Sequence, residues 1–282
     1  MRKEPMITQK TGAETVRWDL NVLYSGLDDP RWNDDVALLI EKMKKFNRAH
    51  KGNLARTLGA AIQDYSDITM LENKVSAYLG LRQATDVTDT AVKAKLADMD
   101  RRLSDVDGEY LTFFTLELVA LDDATLEKAY AEDAVVARHR PWIEFKRLFK
   151  PHLLSEPVES ALTKRDPFGP GAWSEFFDEV EADMEFDFGG EKKTLTEMLH
   201  IMTESDEHRR RFEAMKLING GLKRSLAKCA VQTLYMVAGS NAVEVKERAY
   251  AHPMEFRNKG NQIPDAVVNT IHAVVERVGG PL

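Results

Sequence analysis

Residues 88–113, TDTAVKAKLADMDRRLSDVDGEYLTF, carry the pattern that decides the fold. Apolar side chains recur three and four residues apart in this stretch, at Val92, Leu96, Met99, Leu103, Val106, Tyr110 and Phe113. Because that spacing places them on one face of an α-helix, the stretch predicts a long amphipathic helix with a buried stripe. If the helix runs unbroken to Leu121, it is about 50 Å long at 1.5 Å per residue. Gly108 is where a bend or break is expected, since glycine inside a helix costs about 1 kcal/mol relative to alanine.

The same spacing on both sides of this stretch predicts an all-α fold of long antiparallel helices. Upstream, Pro30 opens a helix that ends at residues 51–53, and a second apolar series follows from Leu58 to Leu79. Downstream, Asp122, Asp133 and Ser155 mark the starts of shorter helices. The last segment opens at Pro264, and we expect it to bury its apolar residues, which are Val267, Val268, Ile271, Val275 and Val278.

One segment departs from the helical period. Residues 184–188 alternate apolar and polar side chains and precede Gly189-Gly190, which predicts a small β-hairpin near residues 184–195. The sequence Asp166-Pro167-Phe168-Gly169-Pro170-Gly171 is the strongest loop signal and the best internal boundary. It divides the chain into a flexible arm at 1–17, an N-terminal helical region at 18–165, and a second helical region with the hairpin at 172–282.

Composition narrows the class of partner and compartment. The chain has 46 acidic and 39 basic residues, a net charge of -7, which argues against nucleic acid as the main partner. An 18-residue apolar span and a signal peptide are both lacking, so we expect no membrane partner and a soluble, cytoplasmic protein. The single cysteine, Cys229, excludes an intramolecular disulfide and multi-cysteine metal sites.

The search for catalytic and metal residues finds no complete site. A helical zinc peptidase site needs two histidines four residues apart, and none of the seven histidines forms such a pair. His200 and His208 are eight apart, and His272 with Glu276 is more typical of a solvated surface pair. Cys229 has no base nearby in sequence and is interpreted as a core residue. The carboxylates Glu175, Asp178, Glu179 and Glu181 are interpreted as a solvated helix face.

Short motifs occur in a fixed order between residues 18 and 275. They are Trp18-Asp19-Leu20 with Leu23-Tyr24, Phe46 with Lys51-Gly52 and Leu54, Tyr78 with Asp86 and Thr88, Phe114 with Glu117-Leu118, Pro151-His152-Leu153-Leu154-Ser155-Glu156 with Glu159, Trp173 with Phe176-Phe177, Arg248 with Tyr250, and Arg257-Asn258 with Asn261-Gln262-Ile263. In this order they resemble the N-terminal portion of oligoendopeptidase F proteins, which belong to the thimet-oligopeptidase-like superfamily of zinc metallopeptidases.

The resemblance implies a role rather than a reaction for this chain. In full-length relatives this helical region forms one wall of a closed channel around the zinc, which admits short unfolded peptides. The H-E-x-x-H helix, a third carboxylate ligand and downstream His and Tyr residues belong to a later segment without a counterpart here. The resemblance therefore implies zinc and proteolysis for the full-length family, and no metal or catalytic residue in this chain. We expect a truncated or split enzyme whose catalytic half is missing or is a separate partner.

Two other interpretations remain open. The chain is a non-catalytic helical module that binds peptides or a protein partner, or an unrelated helical scaffold whose motif matches arise by chance. No peptide-contacting residue is assigned by the sequence. Tyr250 and His252 are candidates because loops after long helices often line clefts, with burial in a domain contact as the alternative.

Overall fold

The computed structural model describes residue 16 and residues 19–87, 89–223 and 225–279. The predicted arm at 1–17, apart from Val16, lies outside the described residues, as do Trp18, Thr88 and the terminal residues 280–282.

The described residues form helices and one two-stranded antiparallel hairpin, which confirms the predicted all-α class. The helices are α1 (Pro30–His50), α2 (Leu54–Thr85), α3 (Thr90–Tyr110), α4 (Thr112–Ala120), α5 (Asp123–Glu132), α6 (Ala134–Arg138), α7 (Arg140–Arg147), α8 (Glu156–Arg165), α9 (Pro170–Ala182), α10 (Leu195–Glu204), α11 (His208–Gly221), α12 (Ser225–Glu247), α13 (Glu255–Gly260) and α14 (Asp265–Val278). The strands are β1 (Glu185–Phe188) and β2 (Glu191–Thr194). Short 3-10 helices occupy Leu20–Val22, Lys150–His152 and Asp166–Phe168.

The helix predicted across residues 88–121 is divided in two. α3 ends at Tyr110 and α4 begins at Thr112, with the break at Leu111 rather than at Gly108. Gly108 instead lies where α8 crosses α3, since a β-carbon there would be 2.9 Å from the carbonyl oxygen of Ser160. Glycine at this position therefore permits close approach of two helices, a packing role that local propensity does not reveal.

The main core lies among α1, α2, α3 and α4 and extends to α6 and α7. The apolar stripe predicted for residues 88–113 faces it, with Val92, Met99, Leu103 and Phe113 buried. The Phe46 ring packs edge-on against Phe114 at 5.2 Å between centroids. The N-terminal anchor also docks here, because Tyr24 is buried and its hydroxyl donates to the Asp35 carboxylate at 2.7 Å.

A second, smaller core joins the hairpin to α10 and α11. Phe186 and Phe188 point from β1 towards Met198 on α10 and Ile218 on α11. The capping box predicted at Thr194 is present, with Glu197 hydrogen-bonding back to the Thr194 backbone. The hairpin predicted near 184–195 is thus confirmed, and it serves to cover one side of this helix pair.

The stretch 166–171 is not the loop that its composition suggested. Residues 166–168 form a 3-10 turn and α9 begins at Pro170, so that only Gly169 lies outside both. The reason is that proline suits the first turn of a helix, where its missing N–H has no partner to lose. The division of the chain into regions 18–165 and 172–282 stays a prediction.

The expectation of burial along the last helix was wrong. The apolar residues of α14 are exposed, up to 75% at Val278, and only Val268 is half-buried. Within the described chain no other helix packs along α14. Amphipathic spacing formed the helix, but its apolar face lies open.

Candidate functional site

The most extensively bonded polar cluster joins the turn before α8 to the segment after α12. His152 is its centre, 5% exposed, at the end of the 3-10 turn Lys150–His152. Its Nδ1 lies 2.8 Å from the carbonyl oxygen of Arg248, and its Nε2 lies 2.6 Å from Nζ of Lys259. These partners are 96 and 107 residues away in sequence, so the histidine ties the C-terminal elements to the body.

The two partners determine the protonation state of the ring. A carbonyl oxygen only accepts and an ammonium only donates, so Nδ1 carries the proton and Nε2 accepts from Lys259. His152 is therefore neutral in this arrangement. Glu255 Oε1 lies 3.4 Å from Nε2 and also accepts from Lys259 at 2.8 Å. The ammonium is thus held between a carboxylate and an imidazole.

Arg248 forms the second part of the cluster. Its Nη1 and Nη2 donate to the two oxygens of Glu159 at 2.7 and 3.0 Å, while Nη1 also donates to the carbonyl of His152 at 3.2 Å. Burial raises the pKa of Glu159, but hydrogen bonds from Arg248 and from the Leu154 amide outweigh it and bring the pKa below its ordinary value. A buried carboxylate held this way stays ionised and keeps the guanidinium in one orientation.

Two left-handed residues shape the chain around these side chains. Ala249 has φ 54°, and the amides of Ala249 and Tyr250 donate to the carbonyls of Lys246 and Val245. This pattern is a Schellman motif, which ends α12 and turns the chain back towards α8. Gln262, also at φ 54°, ends α13 in the same way. Neither residue is glycine, so both turns hold backbone strain beside the cluster.

Aromatic rings cover the open face of His152. Tyr250 stacks on the imidazole with centroids 4.0 Å apart and an interplanar angle of 24°. Phe256 packs against both Tyr250 and Phe149. Burial raises the pKa of Tyr250. Tyr250, a sequence candidate for peptide contact, is therefore buried against the histidine rather than open to a cleft.

The start of α14 is tied to α13 by one carboxylate. Asp265 accepts from Nδ2 of Asn258 at 2.7 Å, and His252 Nε2 lies 3.0 Å from its other oxygen. The hydrogen bonds from Asn258 and then His252 lower the pKa of Asp265. His252, the second sequence candidate, thus positions the last helix.

A cleft of about 620 Å³ opens next to the cluster, between α3, α8 and α12. Asp107, Glu159 and Thr163 line it and also line a smaller cleft of about 210 Å³ towards Tyr65. Carboxylates outnumber guanidinium groups on the walls, because Arg165 and Arg248 face five acidic side chains, which are Asp107, Glu159, Asp166, Glu244 and Glu247. The cleft therefore favours a ligand with a positive group.

Asp107 is the half-buried acid between the two clefts. Burial raises its pKa, an effect that Lys146 opposes, and burial likewise lowers the pKa of Lys146. Glu72 has a raised pKa for the same reason, with a further contribution from Asp107. Perturbed carboxyl groups in a cleft are typical of ligand-contacting positions.

The remaining sequence candidates are not brought together. His200, His208 and His272 are exposed on separate helices. Cys229 is half-buried and lies 4.0 Å from the Thr233 hydroxyl. Glu175 and Asp178 are exposed, as expected for a solvated face. The sequence interpretation missed the role of His152 and Arg248, although both stood in the motifs that carried the resemblance.

Two searches bear on metal and membrane. Among the residues that the structure describes, no group of three or more His, Cys, Asp or Glu side chains is arranged to hold a metal ion. Across the same residues, every helix is too short or too polar to cross a bilayer.

Comparison with known proteins identifies the closest matches to this architecture in kind. The family model described as Oligopeptidase F matches residues 117–186. The crystal structure of oligoendopeptidase-F from Enterococcus faecium superimposes with a TM-score of 0.75 at 23% sequence identity, over 89% of this chain and 51% of that one. A protein of Chlamydophila abortus described as a candidate peptidase matches with a TM-score of 0.51 at 15% identity, over 92% of this chain and 44% of its own.

These matches confirm the predicted resemblance to the N-terminal portion of oligoendopeptidase F. The chain spans about half the length of the solved structures that it matches. The comparison with curated proteins gives no significant match.

Proposed function

We propose that this chain is the channel-wall part of an oligoendopeptidase F-like zinc metalloendopeptidase that acts on short peptides. The observation that carries the proposal is the correspondence of 89% of the chain with half of the Enterococcus faecium oligoendopeptidase-F structure. The cleft between α3, α8 and α12 supplies a concave surface on which such a wall contacts peptide. Its acidic lining favours peptides with a free amino terminus or basic side chains.

Zinc does not fit the described residues of this chain. The most buried histidine of the polar cluster, His152, has one ring nitrogen on a carbonyl and the other on an ammonium, so neither is free for a metal. The sequence also lacks two histidines at helical zinc spacing. In the proposal the zinc is therefore held by a separate catalytic half, and this chain alone does not cut peptides.

Peptide cleavage by the purified chain tests the proposed inactivity. The substrate is an internally quenched peptide of about eight residues with one lysine, incubated with added zinc. We expect no cleavage above the buffer control. Cleavage that a chelator abolishes would show that this chain has its own metal site and would contradict the proposal.

A second candidate function is peptide binding without cleavage, which the cleft within this chain favours. Fluorescence anisotropy with a labelled peptide measures it, and Glu247→Gln with Asp166→Asn removes two charges from the lining. Weaker binding by this variant and at higher salt assigns the cleft as the peptide surface. Strong binding by the chain alone, with no gain from any second polypeptide, favours the binding module. We further propose a cytoplasmic location for either function.

A further inference from the structure

The last helix of the described chain presents an apolar face that nothing in the fold covers. Val267, Ile271, Val274, Val275 and Val278 are 41–75% exposed. They recur three and four residues apart, so they form one face of α14, while His272, Glu276 and Arg277 belong to its polar side. Apolar rows of this kind on a soluble protein mark surfaces that bind another protein.

A second exposed apolar row occurs on α12. Val231, Leu234 and Tyr235 are each about 70% exposed at a spacing of three and four residues. The opposite side of α12 packs on α9, and the Thr233 hydroxyl donates to the carbonyl of Trp173. α12 is therefore half covered, and the uncovered half is apolar.

The polar cluster fixes the element that carries the α14 face. Asp265 at the start of α14 is held by Asn258 and His252, and Lys259 of α13 is held by His152 on the body. Two turns with left-handed Ala249 and Gln262 complete the path between α12 and α14. A helix held by buried polar contacts at its start presents its open face in a defined direction, as a preorganised interface requires.

We infer that the apolar faces of α12 and α14 are the surface that binds the zinc-bearing half of the enzyme. The inference rests on the proposed function. The argument for this occupant is length: the solved oligoendopeptidase-F has as much chain again beyond the part that matches, since the match covers 51% of it. That remaining half is the polypeptide that the architecture places beside the last matched helices.

The test is co-expression of the full chain, carrying an affinity tag, with the half of the Enterococcus faecium oligoendopeptidase-F that it does not match. Ile271→Lys and Val278→Lys each place a charge on the α14 face, and Met70→Lys is the control because Met70 is equally exposed on α2. We expect a 1:1 complex that the two α14 variants weaken at least tenfold, because lysine at an apolar contact loses its hydration, and that Met70→Lys leaves unchanged. All three positions are exposed, so unchanged thermal unfolding is expected and is measured beside the binding.

Three results overturn the inference. Absence of the complex removes this occupant, and a complex unaffected by both α14 variants removes this surface. Concentration-dependent self-association that Ile271→Lys abolishes shows that a second copy is the occupant. Peptide cleavage by the complex is measured separately: a complex without cleavage leaves the surface intact and counts against the proposed function.

Discussion

Replacing Arg248 with alanine is expected to cost about 3–5 kcal/mol of stability, the range for breaking a buried ion pair by removing one partner. The Arg248 and Glu159 side chains are 14% and 13% exposed, and two hydrogen bonds of 2.7 and 3.0 Å join them. Without the guanidinium, the buried Glu159 carboxylate keeps only the Leu154 amide as a partner at 2.8 Å. The large cost arises from this stranded charge rather than from the lost attraction alone.

The assay is urea unfolding monitored by far-UV circular dichroism, with hydrogen exchange at the α12 amides to localise the change. Arg101→Ala is the control, because Arg101 also pairs with an aspartate but both side chains are more than half exposed. Its expected cost is about 1 kcal/mol or less. The double variant Arg248→Leu with Glu159→Leu is expected to recover most of the stability, since apolar replacement of a buried pair is often neutral.

The pH dependence gives an independent check of the same reasoning. The folded-state pKa of Glu159 is lowered, so its contribution is present above the unfolded value and is lost as the pH falls through the folded value. The cost of Arg248→Ala is therefore full at neutral pH and shrinks below about pH 4, where the carboxyl protonates. A cost below about 1 kcal/mol at pH 7, or one that does not change with pH, would refute the argument.

Three further predictions concern single positions. Asp107→Asn is expected to stabilise the fold at neutral pH, because burial raises the folded-state pKa of Asp107 and its ionised form is disfavoured. That gain should fade towards about pH 4, and a Tm gain independent of pH would contradict it. Gly108→Ala should destabilise through the Ser160 carbonyl, whereas Gly80→Ala, with open space around it, should stabilise by about 0.5–1 kcal/mol; equal thermal shifts would be inconsistent with the helix crossing. Ala249→Gly should raise stability by about 1 kcal/mol by relieving a positive φ, and a lower Tm would argue against that strain.

Much of the fold was predictable because helix formation leaves a local record. The stripe from Val92 to Phe113, the start of α1 at Pro30 and the capping box at Thr194 each depend on residues a few positions apart. The break at Leu111 was not predictable from residues near it. It accompanies the packing of α3 and α4 on α8, and these contacts come from residues about 50 positions away.

The candidate site was less predictable, since its partners are far apart in sequence. His152 meets Arg248 and Lys259 only after α12 has folded back, and no spacing rule encodes a separation of 96 residues. The exposed face of α14 shows a further limit. Amphipathic spacing states that a helix face favours an apolar neighbour, but it does not state whether that neighbour belongs to the same chain.

The small core around Phe186 and Met198 has a consequence for the order of folding. All of its elements, from β1 to α11, come from one continuous stretch at 185–221, so the loops that must close to form it are short. Short loops lose little chain entropy, and structures built from such local contacts form rapidly. During synthesis this unit is therefore expected to fold as soon as it leaves the ribosome, before α12 is available to cover α9. The nascent chain then meets α12 with a finished neighbour on each side, which limits the ways in which the longest unpartnered apolar row is left open to aggregation.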